Sequence, residues 1–147
     1  MSKPRYNWWP FALAIIRDYP ARKAALKALR EQKITANISS MPQAGGTFRA
    51  PEDLAIRQLP PQEQREHDAV HTAINRTRTL PDAKLRMDVV KVTMWKGYSI
   101  PDAAITLHAA ERTVRRYRWQ FVLLVGHMYG FLTEGEYGDA LKKDAKK

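Results

Sequence analysis

Cysteine is absent from this 147-residue sequence, which excludes disulfide staples and thiolate metal sites and makes the chain compatible with a reducing compartment. Glycine is scarce, at seven residues, and none builds a phosphate loop: Gly45-Gly46 lacks the following Lys-Ser/Thr pair. No apolar stretch approaches the ~20 residues of a membrane span, so no membrane partner is expected. The opening Met1-Ser2-Lys3-Pro4-Arg5 lacks the apolar run of a signal peptide, and the expected location is cytoplasmic. Neither a strand-type alternation nor an internal repeat is present. No Ser-His-Asp or Cys-His set suggests nucleophilic catalysis. The expectation is therefore not an enzyme, with no cofactor and no metal.

Acidic residues are also in short supply. Fifteen Asp and Glu stand against 25 Lys and Arg, giving a net charge of +10. Such a balance draws a protein toward polyanions. The excess is clustered: residues 1–50 carry 9 bases and 2 acids (+7), 51–80 carry 4 and 5 (−1), 81–132 carry 8 and 4 (+4), and the tail has 4 of each. Two basic regions thus flank a near-neutral one. The plainer alternative is a merely soluble basic surface.

What is present is helical. Phe11, Leu13, Ile15 and Ile16 follow Pro10, a good first-turn residue, and Pro20 is expected to interrupt that helix. Ala24 to Leu29 then build a helix-prone segment whose other face carries Arg22, Lys23, Lys27 and Arg30. Residues 1–32 accordingly read as an N-terminal helical hairpin. Residues 33–60, with Ser39-Ser40, Pro42, Gly45-Gly46, Pro51 and Pro60, read as a flexible linker. Residues 61–132 read as a helical DNA-binding region. A helix over 61–79 sets Val70, Ala73 and Ile74 on one face, and Leu80-Pro81-Asp82 restarts the chain. Leu85, Val89, Val92 and Trp95 form the next stripe, which Gly97 closes. Short and long helices follow over 100–108 and 110–131. The tail, 133–147, reads as mobile.

The segment from Tyr98 to Trp119 carries the functional case. Ser99 can cap a first helix, with Pro101 in its opening turn and Asp102 favouring the dipole. Ala104 is small, as a close helix crossing requires. Ile105, Leu107 and Val114 are expected to seal the core between the two helices, and a tight turn falls at His108-Ala109. That turn needs a left-handed residue where Gly is usual, and Ala110 stands where a Ser or Thr cap is usual. With Val114 facing inward and ~100° per residue, Tyr117, Phe121, Val125 and Met128 follow within ~60°. Arg112, Arg115, Arg116 and Trp119 point the other way. A basic face at the start of a helix suits major-groove docking, where arginine can grip guanine O6 and N7 or neutralise phosphate. Arg115 and Arg116 are expected nearest the bases, Arg118 and Lys96 nearer phosphate, and Glu111 can accept from cytosine. The alternative is an ordinary basic amphipathic helix pair. The expected fold is thus an all-α, small helical domain with a C-terminal helix-turn-helix, and the expected partner is double-stranded DNA.

Two further features carry alternatives. Beyond Trp119 the helix is apolar on every side through Val125, so it must be covered all round, either by the Trp8/Trp9/Phe11 segment or by a second copy of the chain as a homodimer. Glu63, His67 and His71 share a helix face at the spacing of metal-binding pairs; the plainer and preferred reading, with Glu66, is an exposed polar face beside Asp68.

Several of these residues resemble a family. Tyr19-Pro20 after the first helix, Leu80-Pro81 before a helix ending Trp95-Lys96-Gly97, and Thr113-Val114-Arg115-Arg116-Tyr117-Arg118-Trp119 together resemble the phage late-gene transcriptional activators of the RinA/ArpU type, and the opening Tyr6-Asn7-Trp8-Trp9-Pro10 resembles that of uncharacterised prophage proteins with the same layout. The resemblance spans most of the chain. It implies a helix-turn-helix like that of sigma-factor region four, a regulator of phage or prophage late genes, and RNA polymerase as a partner. Two alternatives remain: a phage terminase small subunit binding packaging-site DNA, and a protein-interaction module docking on polymerase through Trp119 and Leu123.

Overall fold

The computed structural model describes residues 6–40 and 59–145, and among them every regular element is helical. Six α-helices follow in order: α1 (Trp9–Ser40), α2 (Pro61–Thr77), α3 (Ala83–Val90), α4 (Ile100–Leu107), α5 (Glu111–Tyr129) and α6 (Glu134–Ala145). A π-helical turn, Lys91–Trp95, continues α3, its wider loop closed by the Lys96 N–H on the Lys91 carbonyl at 2.9 Å.

The expected N-terminal hairpin is instead one helix. Pro20 lies inside α1, although it has no N–H to give the carbonyl four residues earlier. That carbonyl, on Ile16, accepts the indole N–H of Trp95 at 2.8 Å. A side chain from the π turn thus satisfies the group that proline orphans, so the backbone need not break to find another partner. The helix also runs on through residues 33–40 of the expected linker; residues 41–58 of that linker lie outside the described residues.

The expected mobile tail is also replaced, by α6. Thr133 and Glu136 form a capping box: the Glu136 N–H donates to Thr133 Oγ1 at 3.2 Å and the Thr133 N–H to Glu136 Oε1 at 3.1 Å. Tyr137 stacks on His127 at 5.0 Å, and Ala140 is buried with Leu123 and Leu132.

The main core is built from Ala12, Ile15, Ile16 and Tyr19 of α1, Val70, Ala73 and Ile74 of α2, Met87 and Val90 of α3, Met94 of the π turn, and Phe121, Val122, Leu124 and Val125 of α5. The apolar half of α5 is therefore covered by its own chain, without recourse to a second copy. Gly126 permits the closest approach: a Cβ there would lie 2.5 Å from the Trp8 ring. That ring has little room to retreat, being stacked on Tyr6 at 5.0 Å and on Phe131 at 5.5 Å.

The histidine face of α2 is only partly the exposed polar surface considered above: Asp68 and His71 are exposed. Glu66 and His67 are both buried, at 6% exposure. His67 stacks on Tyr19, which in turn stacks on Trp95, and the Tyr19 hydroxyl meets His71 Nδ1 at 3.1 Å. Glu66 pairs with Arg22 at 3.2 Å. The long α1, which the sequence broke at Pro20, supplies these partners. Burial lowers the pKa of His67, with Asp68 opposing. Among the described residues no group of three or more potential metal ligands is assembled.

Candidate nucleic-acid interface

A second, smaller core holds α4 against the start of α5. It consists of Val89, Val92, Ala103, Ala104 and Val114, with Leu85, Ile100, Leu107 and Tyr117 packed against it. Alanines at the crossing let the two helices approach closely. Ile105, expected to seal this core, instead points outward at 74% exposure, because Ala103, Ala104 and Leu107 already occupy the inward side of so short a helix.

Local chemistry fixes the shape of the pair. The Asp102 N–H donates to Ser99 Oγ at 3.3 Å, capping α4 as expected. At the other end His108 is left-handed, with φ 54° and ψ 43°. There the Ala109 N–H donates to the Ala104 carbonyl at 3.0 Å and the His108 N–H to that of Ile105 at 3.3 Å, a helix-ending pair that satisfies two otherwise orphaned carbonyls. Ala110 then enters α5 in extended conformation without a side-chain cap, and Glu111 sits in the first turn, where a carboxylate complements the helix dipole.

A polar clasp holds α5 to the start of α3. The Tyr117 hydroxyl donates to Asp82 at 2.8 Å, and Asp82 is itself left-handed, with φ 58°. The Arg86 guanidinium lies 4.3 Å from the centre of the Tyr117 ring and donates to Gln120 at 2.6 Å and to the Pro81 carbonyl at 2.8 Å. Burial raises the Tyr117 pKa, and the hydrogen bond to Asp82 adds to the rise.

The expected DNA-contacting residues divide into three groups. Glu111, Arg112 and Arg115 are exposed on the first turns of α5, and Arg116 beside them is half-buried. Trp119 leaves the outward face assigned to it, packing in the cluster of Leu123, Leu132 and Ala140 with Tyr6, Trp8 and Trp9 nearby. The N-terminal aromatics and α6 roof that side of α5, and one helix's periodicity cannot show it. Leu123 is fully buried in the same place.

Arg118 and exposed Lys96 form the third group. They line one cleft of about 630 Å³ with Arg17 of α1, which sequence reasoning did not single out, together with Trp95, Ser99 and Ile100. Burial lowers the Arg118 pKa, and the positive charge of Arg17 lowers it further. No signal in the sequence joins Arg17 to Arg118 across a hundred residues of chain.

No protein-family model matches this chain, and no curated protein or solved structure is significantly similar to it. Fold and site are therefore read from its own residues.

Proposed function

We propose that this protein is a sequence-specific DNA-binding transcriptional regulator in which α4, the His108 turn and α5 act as a helix-turn-helix. The observation that carries the reading is the exposed basic start of α5. Glu111, Arg112 and Arg115 are exposed on a helix whose far half is packed into the core. A rigidly mounted helix with long donors on its first turns is the geometry that reads base edges in the major groove. The net charge of +10 supplies the non-specific attraction to phosphates. Arg115 and Arg116 are the base readers, with Arg112 and Glu111 flanking them. Activation of phage or prophage late genes through RNA polymerase is the setting that the family resemblance suggests.

Docking on a partner through Trp119 and Leu123 is disfavoured, because both side chains are engaged inside the chain. The terminase-subunit alternative shares the DNA contact and differs in assembly; ring-sized oligomers in light scattering would favour it over a regulator.

Selection from a random duplex pool at near-physiological salt is the direct test. An enriched motif is expected. Replacing Arg115 or Arg116 by Ala should cost about 1–3 kcal/mol of specific binding and relax preference at one position each. Affinity that only tracks salt, or specific binding that survives the double substitution, would overturn the reading. The enriched operator then enters a transcription assay with RNA polymerase.

A further inference from the structure

The cleft between α1, the π turn and α5 concentrates positive charge with no acid to answer it. Arg17, Lys96 and Arg118 all line it, and neither Asp nor Glu does. Asp18, the chain neighbour of Arg17, is turned toward Arg22 at 3.8 Å. Among the described residues none of the three cations makes an ion pair or a side-chain hydrogen bond.

Half-buried Arg118 is the focus of the strain. Burial strips part of its hydration, and a second guanidinium, that of Arg17, lines the same cleft. Arginine cannot relieve this by releasing its proton, and an unpaired, partly desolvated charge is costly. An anion in the cleft would offset both burdens. Ser99 and Ile100, the cap and first residue of α4, also line it, adding a hydroxyl donor and the positive end of the α4 dipole. The volume lies in the range of ligand clefts rather than of single-ion holes, which suits a phosphate carried on a larger molecule.

We propose that this cleft is a phosphate-binding site, with Arg17, Lys96 and Arg118 grouped around the start of α4. The source of the phosphate rests on the DNA reading above: a backbone phosphodiester beside the groove that α5 enters. A phosphorylated small molecule shares the chemistry, and the test separates the two.

The full chain, labelled with nitrogen-15, is titrated with inorganic phosphate against chloride at matched ionic strength. Saturable shifts are expected at the Gly97, Ser99 and Ile100 amides and at Arg17 and Arg118 Nε. They should vanish in Arg17→Ala, a change at an exposed position, and in Arg118→Gln, whose folding is checked by its melting temperature. They should persist in the Arg115→Ala/Arg116→Ala variant. Absence of saturable shifts in the cleft overturns the site, even if duplex binding through α5 stands. In a second arm, Arg17→Ala should weaken binding to all duplexes alike, keep sequence preference, and reduce the slope of log K against log salt by about 1. Phosphate binding in the cleft with an unchanged duplex affinity and slope would overturn DNA as the source and assign the phosphate to a small molecule.

Discussion

The two cores of this protein are held together in different ways. The main core is built around large side chains, and its polar ties reach far along the chain: Trp95 to the Ile16 carbonyl, Tyr19 to His71, and Arg22 to Glu66. The small core beneath α4 and the start of α5 contains only valines and alanines among its buried members. Its helix ends are set locally, from Ser99 to Asp102 and from the His108 turn back to Ala104 and Ile105, and one clasp, Tyr117 to Asp82 and Arg86 to Gln120, ties it to the start of α3. The difference teaches how a helix can be anchored at one end and presented at the other. The large core grips the far half of α5, while capping chemistry sets the angle at which α4 meets its first turns.

Substitutions can sharpen that contrast. The largest effect is expected from Ile16→Ala, which removes a fully buried side chain from the main core. Stability should drop by about 2–5 kcal/mol, measured by urea denaturation. A smaller loss would mean that the aromatic neighbours collapse into the space and that the main core is less rigid than its packing implies.

Trp95→Phe comes next. It keeps most of the ring but leaves the Ile16 carbonyl without its donor, which should cost about 1–3 kcal/mol. Adding Pro20→Ala restores a backbone N–H beneath that carbonyl. The second change should therefore stabilise the Trp95→Phe protein more than the parent in a double-mutant cycle. Strict additivity would show that the indole and the proline are unconnected.

His108→Gly probes the small core. A non-glycine residue in the left-handed region is strained by roughly 1–2 kcal/mol, whereas the greater freedom of glycine in the unfolded chain offsets part of the gain. A net stabilisation of a few tenths to about 1 kcal/mol is expected in thermal melts. Destabilisation would indicate that the imidazole itself holds the turn.

The smallest expected effect is a pH dependence. Burial holds the pKa of His67 below its ordinary value of 6.5. The unfolded chain then binds more protons than the folded one as the pH falls below 6.5, so this contribution is present above that value and is lost through the lower folded pKa. Melting temperature should decline from pH 7 toward pH 5 more steeply in the parent than in His67→Phe, which keeps a ring against Tyr19 but cannot titrate. Parallel profiles would remove His67 from the account.

Local signals were legible without coordinates. The Ser99 cap, the left-handed requirement at His108, the Gly97 stop and the inward register of Val114 all depend on residues within a few positions of each other. The capping box at Thr133 and Glu136 was equally local, yet the tail's glycines and lysines concealed it. Pro20 misled because its usual consequence assumes an unanswered carbonyl, and the answer lies in Trp95, 79 residues away.

By itself, then, the sequence determined the helical character of the chain, the positions of most helix ends and the basic start of α5, since these follow from backbone geometry and side-chain periodicity over a turn or two. Only the tertiary structure decided that α1 passes through Pro20, that Trp119 and His67 turn inward, and that Arg17 meets Lys96 and Arg118 in one cleft. Each of those outcomes depends on which distant surface covers a given helix face, and a helix's own periodicity contains no record of its neighbours.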